Sequence, residues 1–145
     1  MEILNRQASY NYFIEDTYEA GIVLKGTEIK SIRSGKCNIK DSYVIIKNNE
    51  VYLLNTHIST YEQGNIFNHE ETRDRKLLLN KQEILKLSSK LNIEGYTLIP
   101  LKIYFVKGRA KVLIGVCKGK TTFDKRASLK EKDIERELKQ NAKYR

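Results

Sequence analysis

The stretch "HEETRD" brings together one imidazole and three carboxylates: His69, Glu70, Glu71 and Asp74. A set of this kind could hold a divalent cation and drive metal-assisted cleavage of RNA. It lies in a polar run, however, and spacing offers no second ligand cluster to complete a site. His57 and His69 have no metal-ligand spacing to each other or to Cys37 or Cys117, and the two cysteines form no CxxC pair. No metal, cofactor, disulfide or enzymatic activity is expected. Cys117 closes the apolar run "KVLIGVC" and reads as a small buried thiol. A different chemistry belongs to "KGKTTFDKR", where Phe123 and Asp124 sit among Lys118, Lys120, Lys125 and Arg126. An aromatic ring can stack on a nucleobase while neighbouring cations hold phosphates, and such stacking is worth ~1–3 kcal/mol. The competing reading folds Phe123 back onto its own protein.

Charge favours the first reading. The 145 residues carry 27 Lys and Arg against 18 Asp and Glu, a net charge of +9. From Lys118 to Arg145 there are ten basic residues and five acidic ones. A concentration of this sort suits a polyanion, of which nucleic acid is the commonest, although it could serve solubility alone. No apolar run reaches the ~18 residues of a membrane span. The opening "MEILNRQASYNYF" lacks the marks of a secretory signal, so a cytoplasmic protein is expected.

The elements that must position these groups are read as follows. "ASYNYFI" is rich in β-formers and predicts a strand. "DTYEAGIVLKG" predicts a helix, with Asp16 as cap, Glu19 reaching back to it and Gly26 as stop. "TEIKSIRSG" predicts a strand in which a bulge reconciles Ile29 with Ile32. Ser42–Lys47 and Glu50–His57 flank Asn48-Asn49 and predict a tight antiparallel hairpin. Residues 59–76 read as a long exposed loop. Asn80 and Glu83 box the start of a helix whose Ile84, Leu87 and Leu91 share a face, with Gly95 past its end. Two more strands follow around a turn at Lys107–Ala110, with Pro100 at an edge or a bulge.

The tally predicts a mainly β fold. It is a six-stranded antiparallel closed β-barrel, OB-fold-like and partly Greek-key, with about three helices. Residues 1–118 form the barrel and residues 119–145 a basic tail. Within the tail, "SLKE" (Ser128 to Glu131) encodes a helix start. Its apolar stripe is only Ile134, Leu138 and Ala142, too narrow to dock such a short helix on the body. Two outcomes stand: a frayed terminus, or a segment that becomes helical inside a negatively charged groove.

Several stretches together resemble one family. "NRQASYNYFIEDTYEAGIVLKGTEIKSIRSGKCNIKDSYV", "TRDRKLLLNKQEI", "GYTLIPLKIYF" and "KVLIGVCKGKTTFDKR" are similar, in order from about Leu4 to Arg126, to the SmpB family, the small proteins that bind transfer-messenger RNA (SsrA RNA). The resemblance implies a non-catalytic, OB-like barrel that binds the tRNA-like domain of that RNA and enters stalled bacterial ribosomes. The implied contacts are the small-subunit decoding site, the empty mRNA channel and the large subunit. Elongation factor Tu and alanyl-tRNA synthetase would be met only through the RNA, and the protein would be a monomer. A ribosomal or ribosome-assembly protein is the alternative that shares size and basicity.

Carried over by position, the family's RNA-facing residues fall on Asn5, Glu19, Leu78 and Asn80. Each has a structural rival: Glu19 and Asn80 as helix-capping residues, Leu78 as core. The decoding-site stretch falls on Lys118, Lys120, Phe123, Asp124, Lys125 and Arg126. The tail helix would present Lys130, Lys132, Ile134, Arg136, Leu138 and Lys139. Phe123 stands where relatives often have His or Tyr, which keeps stacking and loses a hydrogen bond. Only four residues precede Asn5, so the phosphate contacts of a basic leading extension are not expected.

Overall fold

The computed structural model describes residues 2–60, 68–93, 95–121 and 126. In chain order the elements are β1 (Glu2–Leu4), α1 (Ala8–Asn11), β2 (Tyr12–Ile22), α2 (Gly26–Arg33), β3 (Cys37–Asn38), β4 (Tyr43–Lys47), β5 (Glu50–Leu54), β6 (His57–Ile58), β7 (Arg75–Leu78), α3 (Lys81–Leu91), β8 (Tyr96–Val106) and β9 (Arg109–Gly119). Six strands, in the order β8-β4-β5-β7-β2-β9, are hydrogen-bonded in a ring that returns to β8. Every pairing is antiparallel. Between β4 and β8 the register holds a single residue pair, Val44 opposite Leu98. β1 lies along the far half of β8, and β3 pairs with β6 outside the ring.

Two expected elements are exchanged. Residues 16–22, read as a helix, belong to the eleven-residue strand β2, and residues 26–33, read as a strand, form α2. In β2 the inward residues Tyr18, Ala20 and Ile22 alternate with Thr17, Glu19 and Gly21. Pairing with β9 and β7 on its two sides outweighs the local capping pattern of Asp16 and Glu19. In α2 the buried Glu28, Ser31 and Ile32 recur at helical spacing, which removes the need for a bulge. Gly26 is the first residue of this helix, not a stop. The first expected strand begins only at Tyr12, because Ala8–Asn11 is a helical turn.

Other expectations hold. Asn48 and Asn49 take φ of 52° and 61°, the left-handed pair that a two-residue turn requires. The hairpin's second strand ends at Leu54, short of His57. Asn80 and Glu83 cap α3 reciprocally, with Asn80 Oδ1 accepting from the Glu83 amide at 2.9 Å. Leu87 is fully buried, and Ile84 and Leu91 pack against the same core. The β8–β9 register slips between Pro100 and Lys102, so Pro100 stands at a bulge.

The core fills the inside of the ring with residues such as Ala20, Val51, Leu53, Leu98, Ile103, Val112 and Ile114, closed by Ile32 of α2 and Leu87 of α3. A smaller cluster on the outside joins Ala8, Ile99 and Cys117. The expected exposed loop 59–76 is corrected at its end: Arg75 is fully buried at the start of β7 and His69 is nearly so. No described helix is long and apolar enough to cross a membrane.

Candidate nucleic-acid interface

Alternation gives β2, β7, β8 and β9 an outer face as well as an inner one. Leu77 and Ile22 point into the core, so their neighbours Leu78 and Gly21, which are opposite one another, point out. Across this face one row runs Leu78, Gly21, Lys111, Tyr104 and Glu2. The next runs Glu19, Leu113, Lys102 and Leu4. The β2–β7 pairing ends at Leu78, and Asn80, two residues on, is the exposed cap of α3. Glu19 and Leu78 therefore share one open face, with Asn80 just beyond the end of β7.

Each rival reading can now be judged. Glu19 caps no helix, since it lies in mid-strand opposite Leu113. Leu78 is not core, being 54% exposed. It lies against Gly21, where a methyl group would sit 3.3 Å from Leu78 Cβ, so glycine lets the leucine lie low on the sheet. Asn80 is indeed a helix cap, with its oxygen committed to Glu83. Asn5 stands apart from the patch. Its Nδ2 donates to the carbonyl of Pro100 at 3.0 Å and its amide to that of Leu101 at 2.9 Å, which clasps the chain beyond β1 to the bulge of β8. It borders a polar cleft of about 290 Å³ shared with Gln7, Lys40 and Ser42.

Tyr104 is a residue of this patch that the sequence did not disclose. Its hydroxyl donates to Glu19 Oε2, and the Lys102 ammonium lies 4.9 Å from its ring centre. Burial, the bond to Glu19 and the nearby charges of Glu19 and Glu2 push its hydroxyl up to about 12. It is therefore a protonated donor at neutral pH.

A second cationic and aromatic area lies at the opposite end of β9. Phe13, Lys118 and Tyr96 occupy one register row. Lys118 and Lys90 lie 5.7 and 4.9 Å from the Tyr96 ring centre, and Lys120 lies 4.9 Å from that of Phe13. Lys120 also donates its amide to Asn11 and its ammonium to Ser9, both at 2.9 Å, which fixes where the chain leaves the body. Arg126 is exposed. Phe123, Asp124, Lys125 and the expected tail helix, from Lys130 to Lys139, lie outside the described residues.

The "HEETRD" carboxylates do not converge. His69 is held through Nδ1 by Thr27 at 2.8 Å and through Nε2 by the Ile58 carbonyl at 2.9 Å. Glu71 pairs with His57 at 2.9 Å. Among the described residues no group of three or more such side chains could hold a metal ion. The stretch instead serves a buried ionic knot. Glu28, fully buried, accepts from Arg73, from Arg75 Nε at 2.6 Å and from the Lys25 amide at 2.8 Å. Burial would raise its carboxyl, but these donors together hold it below the usual range.

Comparison with known proteins shows the family. The family described as SmpB protein matches residues 2–144. The chain is 58% identical to an SsrA-binding protein of Clostridium tetani and 55% identical to one of Staphylococcus aureus, in each case over 97% of this chain and 92% of the relative. A solved structure described as "tmRNA-SmpB: a journey to the center of the bacterial ribosome" contains a similar chain, with a TM-score of 0.71 and 48% identity over 83% of this chain and 85% of that one.

Proposed function

The chain belongs to the SmpB family, and from that membership we propose that it binds SsrA RNA and carries it to stalled bacterial ribosomes. One observation supports this best. In a chain so similar to SsrA-binding proteins, the exposed Glu19 and Leu78 share the outer face of the sheet, and the exposed Asn80 follows two residues beyond Leu78. Glu19 can accept from the amino or imino group of an unpaired base, Leu78 can cover an unstacked base, and Asn80 retains its amide nitrogen for a base edge or a backbone oxygen. Asn5 contributes by setting the start of the chain against β8.

We read the six-stranded ring as an OB-fold-like barrel, residues 1–118, that takes the tRNA-like domain. Residues 119–145 form the arm for the ribosome: Lys120, Phe123, Asp124, Lys125 and Arg126, with Lys118 at the end of the barrel, toward the decoding site, and a helix bearing Lys130, Lys132, Ile134, Arg136, Leu138 and Lys139 in the empty mRNA channel. The protein works in the cytoplasm as a monomer and without catalysis. Elongation factor Tu and alanyl-tRNA synthetase reach it through the RNA, and the large subunit through the assembled complex.

Sequencing the RNA that co-purifies with the tagged protein tests this reading. One structured RNA with a tRNA-like end is expected; whole-subunit RNA in fixed proportion would indicate a ribosomal protein and overturn it. Deleting residues 119–145 should leave affinity for SsrA RNA nearly unchanged while rescue of stalled ribosomes fails.

A further inference from the structure

The sheet face that carries Glu19 ends in a fork. β2 runs beside β9 as far as Gly21 opposite Lys111, and there the two strands part. β2 stays with β7, through Ile22 opposite Leu77 and then the Val23 amide, which donates to the Lys76 carbonyl at 3.0 Å. β9 stays with β8 down to Arg109 opposite Val106, beside the turn at Lys107 and Gly108. A groove of about 280 Å³ occupies the fork. Leu24 and Ile29 line it from the β2 and α2 branch, and Arg109, Ala110 and Lys111 from the β9 branch. Leu78, 54% exposed, belongs both to this groove and to the Glu19 face, so the two are continuous.

Resting on the RNA-binding reading of that face, we propose that the groove receives one unpaired base of the bound RNA, and that Arg109 and Lys111 hold the phosphates flanking that nucleotide. Apart from these two cations the lining side chains are aliphatic, and no carboxylate is among them. Neither cation is ion-paired among the described residues. A nucleotide answers both features at once, because its base has flat apolar faces and its phosphates are anionic. An apolar peptide side chain would leave the two cations unanswered, and an aspartate would leave the aliphatic walls so. The volume lies just below the ~300–1,000 Å³ of ordinary small-molecule pockets, which suits one base and excludes a stack. No side-chain acceptor lines the groove, so it selects for an unpaired nucleotide and not for the identity of its base. Ile29 and Arg109 thereby become binding residues outside the expected set.

The test uses the full chain and the SsrA tRNA-like domain, prepared as a set in which each member lacks the base of one unpaired nucleotide. Against the unaltered protein one member should bind about 5- to 150-fold more weakly than the intact RNA. Ile29→Ala strips one wall and should cost about 4- to 30-fold on the intact RNA, at ~4-fold per methylene-sized contact. On that one abasic RNA the same substitution should cost almost nothing, because wall and base act as a pair. Should Ile29→Ala lower the urea midpoint, Ile29→Val gives the same cycle in a smaller step. Arg109→Gln should weaken every member alike and make the slope of log affinity against log salt shallower by about one. Ile29→Ala should leave that slope unmoved. Losses that simply add for every member of the set overturn the base groove, and an unchanged slope with Arg109→Gln overturns the phosphate contact. Failure of the intact RNA to bind the unaltered protein would instead overturn the functional reading on which the proposal rests.

Discussion

Glu28 and Glu19 are both carboxylates held by donors from distant parts of the chain, and their surroundings could hardly differ more. Glu28 is fully buried and saturated by two arginines and a backbone amide, which tie α2 to β7. Arg75, equally buried, spends its remaining donors on the carbonyls of Thr56, Glu70 and Glu71. Glu19 lies on an outer sheet face and meets one phenol, which leaves acceptor capacity unused. Saturation marks a carboxylate that holds the fold together; an oriented but unfilled one is what the proposed RNA contact at Glu19 requires. The same contrast separates Leu77, sealed in the core, from Leu78 beside it.

The largest effect should come from the saturated side. Arg75→Ala strands a buried carboxylate and should cost about 3–5 kcal/mol of stability, a large share of the ~5–15 kcal/mol of an ordinary domain. Urea titration reads it, and a loss under 1 kcal/mol would erase the contrast. Next, Glu19→Ala should weaken SsrA RNA about 10- to 150-fold, as expected for charge-assisted hydrogen bonds, with stability within about 0.5 kcal/mol of the unaltered protein. Equal damage to folding and binding would make Glu19 structural after all. Acid should also tell the two apart. Because the folded protein holds the Glu28 carboxyl below its unfolded value, its contribution is complete above the ordinary carboxylate range near pH 4 and is lost as pH falls through the depressed value. Urea midpoints measured from pH 6 down to pH 3 should drop, and Glu28→Gln should flatten that part of the profile. Leu78→Ala should cost RNA affinity several-fold and stability little, since the side chain is half in water already; a loss near that of a core leucine, about 2–5 kcal/mol, would contradict the outer-face assignment. The smallest signal is chemical. Burial pushes the Cys37 and Cys117 thiols up to about 12 and about 11, so native protein at pH 8 should react with iodoacetamide far more slowly than protein in urea.

What could be read from the sequence divides along the same line between local and distant causes. The Asn48-Asn49 turn and the Asn80–Glu83 box were legible because the residues that decide them are adjacent or three apart. The exchange of strand and helix across residues 16–33 arose because Asp16 and Glu19 imitate a local cap, whereas pairing with β9, almost a hundred positions later, decides the outcome. Arg75 looked like loop because its partner Glu28 is 47 positions away. Glu19, Leu78 and Asn80 came from family resemblance, and strand register is what puts Leu78 opposite Gly21, two residues from Glu19 on the same face. Tyr104 escaped because the slip after Pro100 reverses which side of β8 faces out, so simple alternation from Leu98 misplaces it.

The single pair joining Val44 to Leu98 gives the ring a seam. Thermal breathing that parts those two strands would unroll the ring into an open sheet, because β4 stays attached through β5 and β7. The surface around Glu19 belongs to β7, β2 and β9, away from the seam, and Tyr104 lies on the half of β8 beyond the Pro100 slip, six positions from Leu98. That surface could ride through such openings undistorted, and amide exchange should be fastest at the seam and slowest along β2 and β9.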